Sequence, residues 1–221
     1  MSLALQQPDT LEAPEFAGLT FDEEAHRYFL DGKPLPSVTT ILKDVGFVDD
    51  RFFTEEGRIR GQAVHLATHY HDTGVLDPES LHPKIQGYFE GYLRFLRETK
   101  FQVVFSESRV CHRDFRYAGT NDKIGFLFGR PVLIDIKTGD IAFWAAFQLA
   151  AYAACYPYPL ARYGLRLFPD GRYKLIPFED KNDFSIFLAA LTTANVKTQQ
   201  QKGREGLEPQ RPVSPKGLSG A

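Results

Sequence analysis

The run Val132-Leu133-Ile134-Asp135-Ile136-Lys137 constrains this chain more than any other stretch. Short, near-continuous aliphatic runs form central strands covered on both faces. A chain that holds one needs packing layers on each side of a sheet. Two residues in the run break its character. Asp135 and Lys137 are two apart, so on a strand both side chains leave the same face. Lys137, at the strand's end, is not explained by packing.

The flanking pattern supplies the layers. Residues 1–14 are polar, hold two prolines and read as a flexible arm. Leu19 to Leu35 reads as a β-hairpin turned at Asp31-Gly32. Ser37 is a good N-cap for a helix through Val38–Leu42 that stops near Gly46. Residues 51–73 predict a longer helix, with Gly61 one turn before His65. Pro83 to Thr99 carries the apolar stripe of a core helix. A strand over Phe101 to Val110 places Val103, Phe105 and Glu107 on one face, and the next strand runs through Gly119 and Asp122. After Lys137 the pattern predicts an Ala-rich helix over 141–156, a hairpin turned by Pro169-Asp170-Gly171, and a helix over 181–201. Residues 202–221, rich in Gly, Pro and Lys, read as a disordered basic tail. The expected fold is therefore α/β (α+β): one domain over 15–201, with a central mixed sheet flanked by helices and an N-terminal hairpin and helical region.

Composition narrows the function classes. No apolar run approaches the roughly 20 residues of a membrane span. The N-terminus lacks the pattern of a secretory signal, and the two cysteines, Cys111 and Cys155, make neither a disulfide framework nor a CxxC metal site. A reducing, cytoplasmic setting is expected. The net charge of −2 excludes a uniformly basic nucleic-acid binder, but not an enzyme that gathers acids at a metal.

Such a gathering is legible. Asp122 and Asp135 offer hard oxygen ligands suited to Mg²⁺ or Mn²⁺, and His65 offers a nitrogen that favours Mn²⁺. The carbonyl of Ile136, between Asp135 and Lys137, is a further candidate ligand. Lys137 would orient or deprotonate a water, or stabilise charge on a phosphorane. Gln148 and Tyr152, four apart on a helix, share a face and would hold Lys137 or a substrate phosphate. Glu107 reads alone as a solvated strand residue; beside these acids it is a candidate metal ligand, directly or through water. A carboxylate pair with a metal and a lysine is apparatus for phosphodiester hydrolysis. His65 and His69 also have the spacing of a zinc pair, but Leu66 stands where a zinc peptidase carries its glutamate. Ser37, Arg58, Arg60, Arg113 and Arg116 are candidate phosphate contacts, with a capping or solvated role as the plainer reading of each. The basic tail is a further candidate for non-specific DNA contact.

Four motifs in order complete the picture: Gly61-Gln62-Ala63-Val64-His65, Gly119-Thr120-Asn121-Asp122, Asp135-Ile136-Lys137 and Gln148-Leu149-Ala150-Ala151-Tyr152. They resemble the GxxxH, GxxD, DxK and QxxxY marks of the PD-(D/E)xK nuclease superfamily in its RecB-like, lambda-exonuclease-like branch. The resemblance covers roughly residues 55–155, and Pro36-Ser37-Val38-Thr39 is similar to the N-terminal part of phage-borne members. It implies a restriction-endonuclease-like core and a metal-dependent DNA exonuclease for recombination, repair or phage DNA processing. A single-strand annealing protein or a helicase is the implied partner. Some relatives bind an iron–sulfur cluster through four cysteines; with two, none is expected here. Weighed against this are an endonuclease using the same site, a DNA-binding module with a dead site, and a zinc-dependent hydrolase of another substrate.

Overall fold

The computed structural model describes residues 11, 16–49, 51 and 54–205, with side chains described as far as Gln201. Most of the arm expected at 1–14, and the tail beyond 205, lie outside the described residues.

A small sheet comes first. Strands β1 (Leu19–Asp22), β2 (Arg27–Leu30) and β3 (Lys33–Leu35) form an antiparallel meander in chain order. The expected hairpin is thus three-stranded. Asp31 and Gly32, at φ 52° and 73°, make the predicted turn. The first turn has no glycine to mark it in the sequence: the Asp22 carboxylate caps Ala25 N–H at 2.9 Å, and His26 takes the left-handed conformation at φ 51°.

Helix α1 (Val38–Asp44) follows, with Ser37 Oγ accepting from Thr40 N–H at 3.0 Å as its N-cap. Helix α2 (Glu55–Asp72) starts later than the pattern predicts, because Thr54 caps it through Gly57 N–H at 3.1 Å. Helix α3 (Pro83–Thr99) matches its predicted span.

The main sheet holds five strands in the order β4-β5-β6-β7-β8: Gln102–His112, Tyr117–Leu127, Arg130–Lys137, Ala161–Leu167 and Tyr173–Phe178. Only β6 and β7 are parallel; the other neighbours are antiparallel. Helix α4 (Ala145–Ala153) makes the crossover between the parallel pair and is shorter than predicted. The preceding Ile141 instead lies over the sheet at Gly164, where a Cβ would come within 2.7 Å of its Cδ1. Helix α5 (Asp183–Glu205) closes the described chain and runs four residues past the expected end.

The central strand behaves as its composition dictates: Pro131 to Ile136 are buried without a break. Val132, Ile134 and Ile136 pack towards α2 and α3, with Val64, Tyr92 and Phe95. Leu133 packs towards α1, α4 and α5, with Ile41, Leu149 and Phe187. The small sheet joins the β4–β5 hairpin through Tyr28, Leu30, Leu35, Cys111 and Ala118. Among the described residues no helix is long and apolar enough to cross a membrane.

Candidate active site

The site lies where the main sheet divides. Strands β5 and β6 pair from Leu127–Arg130 to Lys123–Ile134, and the pairing ends there. Further on, β5 stays with β4, and β6 stays with β7 as far as Lys137–Arg166. Asp122 fills the opening: its Oδ2 accepts from Ile136 N–H at 2.6 Å, replacing a ladder bond that the separation removes.

Side-chain alternation slips at this point. Asn121 accepts from Tyr156 beyond α4, Lys123 reaches the opposite face to Asp72 of α2, and Ile124 is back among the α1, α4 and α5 core. The matching break on β4 is Glu107, held at φ 53°. A non-glycine residue there costs about 1–3 kcal/mol and persists where its surroundings enforce it. The expected common face for Val103, Phe105 and Glu107 fails for this reason and for an earlier bulge between Val103 and Phe105.

Helix α2 spans the opening with His65. Its Nε2 stands 3.0 Å from the Ile136 carbonyl oxygen, and its Nδ1 is 3.4 Å from both Glu107 Oε1 and Asp122 Oδ1. Ligand atoms of His65, Glu107 and Asp122 all lie within 4.8 Å of one another. Glu107, open on sequence alone, is therefore at the centre. Asp135 lies beside Lys137 instead, with Nζ 2.9 Å from Oδ1 and 2.8 Å from Oδ2. Only the Oδ1 contact has hydrogen-bond geometry; Oδ2 is a buried acceptor without a hydrogen-bond donor. Lys137 also lies 5.8 Å from the Trp144 ring centre.

These donors fit a divalent cation. Oxygens dominate, with one imidazole, as Mg²⁺ or Mn²⁺ prefers. Glu107, Asp122 and Asp135 against Lys137 leave two uncompensated negative charges when His65 is neutral. Asp135 Oδ2, paired with the Lys137 ammonium by charge but without a donor in hydrogen-bond geometry, is a further acceptor for a cation.

The protonation pattern follows from this crowding. Burial opposes a charged imidazole, but the carboxylates of Asp122 and Glu107 outweigh it and hold His65 up at about 10. Burial likewise opposes the Lys137 ammonium, and Asp135 and Asp122 again prevail, so its pKa is raised. For Asp122, burial is overcome by His65, Lys137 and the Ile136 N–H, and its carboxyl is held below the usual range. For Asp135 burial wins, with help from Asp122 and despite Lys137, so its carboxyl is pushed up.

The other motif residues form the wall. Gln148 Nε2 donates to Tyr152 Oη at 3.3 Å and to Thr39 Oγ1 at 3.5 Å. Burial pushes the Tyr152 hydroxyl pKa up, so it stays a phenol. Gly119 is explained by Tyr152: a Cβ would overlap the ring, with Cζ and Oη only 3.0 Å away. Gly61 is different, since a Cβ there would meet only Thr138 Oγ1, at 3.8 Å. His69 turns to Ser106 Oγ at 2.9 Å rather than joining His65.

A cleft of about 590 Å³ opens over these groups. Ser37 lines it; Arg58, Arg60, Arg113 and Arg116 do not. Arg58 pairs with Glu55 on the helix surface. Arg60 comes nearest, reaching Thr138 beside Lys137. Arg113 and Arg116 sit in the β4–β5 turn, about 17 Å or more along the strand from Glu107. Besides His65 and Lys137, the basic side chains lining the cleft are Lys43, Arg109 and His26. Arg109 was legible in principle, two residues from Glu107 on the same strand. His26 and Lys43 reach the cleft only through the docking of β1–β3 and α1.

No family model matches this chain, and no curated protein matches it.

Proposed function

We propose that this chain is a divalent-metal-dependent deoxyribonuclease of the PD-(D/E)xK kind, hydrolysing phosphodiester bonds from DNA ends. The observation that carries the reading is the meeting of His65, Glu107 and Asp122 within 4.8 Å, with the Asp135–Lys137 pair in the same cleft. His65, Glu107, Asp122, the Ile136 carbonyl and Asp135 Oδ2 would hold Mg²⁺ or Mn²⁺. Such an ion, when bound, supplies Lewis acidity towards a phosphoryl oxygen and lowers the pKa of a coordinated water.

The chain's own groups divide the remaining work. Lys137 is held as an ammonium by its carboxylate neighbours, which suits it to stabilise negative charge on the phosphoryl group rather than to act as the base. Asp135 fixes the position of that ammonium. His65 must lose a proton before its nitrogen can serve as a ligand. Gln148 and Tyr152, locked to each other, present a neutral polar wall for orienting the phosphate. Recombination, repair or phage DNA processing in the cytoplasm, beside an annealing protein or a helicase, is the setting proposed for it.

The test uses end-labelled linear DNA and a covalently closed circle, each with Mg²⁺, Mn²⁺ or EDTA. Metal-dependent loss of the linear DNA with the circle spared is the expected result. Cutting of the circle would make the enzyme an endonuclease; DNA binding without cleavage would make it a binding module.

A further inference from the structure

The metal and phosphate chemistry uses the cleft floor and the face of α4, yet one side of the cleft is built by the small N-terminal sheet. Phe21, His26 and Tyr28 line it beside Arg109 of β4. None of the three is needed to hold a metal or polarise a phosphate. Their rings form a cluster. Phe21 lies 4.6 Å from Tyr28 and 5.0 Å from His26, centre to centre, and the Arg109 guanidinium stands 4.7 Å over Phe21. Arg109 is fixed in turn by an ion pair with Glu23.

This wall is built into the fold. Tyr28 Oη is hydrogen-bonded to Thr120 Oγ1 at 2.8 Å, two residues before Asp122. Ala118 N–H donates to the Pro36 carbonyl at 3.0 Å, tying the segment after β3 to β5. Phe21 remains half-buried and His26 exposed, so ring surface is left for a ligand. His26 takes a left-handed backbone at φ 51°, uncommon for any residue but glycine. Phosphate recognition needs cations and N–H groups; rings with a stacked guanidinium are what an unpaired base uses. A cleft of about 590 Å³ has the volume of a small-molecule site, enough to take in a nucleotide against this wall.

We propose that Phe21, His26 and Arg109 form a base-stacking wall that selects an unpaired DNA strand, holding a base beside the phosphate to be cut. A duplex end is then a substrate only after its terminal pairs open. The proposal rests on the nuclease reading and adds its substrate class.

The experiment measures initial hydrolysis rates with Mn²⁺ for the full chain on three substrates of one sequence. These are a single strand, the same strand in a duplex with G·C-clamped ends, and a single strand whose terminal nucleotides are abasic tetrahydrofuran analogues. Bis(p-nitrophenyl) phosphate, which has phosphodiester bonds but no base, is the fourth. Stacking on aromatic side chains predicts that the single strand is cut roughly tenfold or more faster than either DNA control at limiting substrate. Phe21→Leu, which keeps apolar bulk, and His26→Asn, which suits the left-handed backbone, should bring the single strand down towards the abasic rate through KM. Equal rates on all three DNAs, or both variants retaining the wild-type preference, would overturn the wall while leaving the nuclease intact. No hydrolysis of any of the four would overturn the nuclease reading, and this inference with it.

Discussion

Removing the charge of Lys123 should cost this protein a large share of its stability. Lys123 is fully buried on β5, one residue past Asp122. Its Nζ lies 2.7 Å from Asp72 Oδ2 and 2.7 Å from Ser106 Oγ, and 5.5 Å over the Tyr92 ring. Asp72, its side chain 3% exposed, also accepts from Tyr92 Oη at 2.8 and 2.9 Å. Lys123→Met would leave that carboxylate buried with only the His71 imidazole, 3.1 Å from Oδ1, as a basic neighbour, a change worth about 3–5 kcal/mol. A domain holds only about 5–15 kcal/mol in total. With a urea slope of about 2 kcal/mol/M, the midpoint should fall by roughly 1.5–2.5 M. Adding Asp72→Asn removes the stranded charge and keeps an acceptor for Tyr92, so the double variant should regain part of the loss. Because Ser106 and Lys123 flank Glu107 and Asp122, the single variant should also bind Mn²⁺ more weakly in calorimetry. A single-variant cost below about 1 kcal/mol, or a double variant no more stable than the single, would refute the reasoning.

Three further outcomes follow from the geometry. Glu107→Gly should be about 1 kcal/mol more stable than Glu107→Ala in urea, because both lose the carboxylate but only glycine accepts φ 53° freely; alanine being equal or better would deny the strain. Gly119→Ala should lose about 1–3 kcal/mol and most DNA cleavage, since its Cβ must displace the Tyr152 ring from Gln148; a wild-type melting curve would contradict that packing. In EDTA, the His65 contribution is stabilising because its pKa is raised from 6.5 to about 10. That contribution is fully present below about pH 6.5 and lost as pH rises through about 10, so wild type should lose its stability advantage over His65→Ala across that window; an advantage that grew with pH would reverse the assignment.

What was legible in the sequence is what local chemistry decides. The Asp31-Gly32 turn, the apolar stripe from Ile85 to Phe95 and the covered strand at Val132–Ile136 all carry their cause in neighbouring residues. The shared face of Asp135 and Lys137, and of Gln148 and Tyr152, follows from strand and helix periods alone; that each pair is hydrogen-bonded is a finding of the structure. The rest depends on contacts distant in the chain. The slip at Asp122 and Glu107 breaks the alternation from which facing is read. The fork between β5 and β6 is what lets His65, from one face of the sheet, meet acids beside the other. Lys123 carries a charge that is rarely fully buried, and it is buried because its partner Asp72 lies fifty-one residues earlier in the chain. Charge alone makes Arg113 and Arg116 candidates, but hairpin register carries them to the far end of β4 and β5. Arg109 is the one that faces the cleft.

The most direct test of the nuclease reading compares wild type with Lys137→Ala on linear DNA, at matched concentration, with Mn²⁺ and with EDTA. Circular dichroism would first establish that the variant is folded. Mn²⁺-dependent hydrolysis by wild type, none in EDTA, and a loss of at least a hundredfold in the variant is the predicted result. A folded Lys137→Ala protein cutting at the wild-type rate would place the chemistry somewhere other than this cleft.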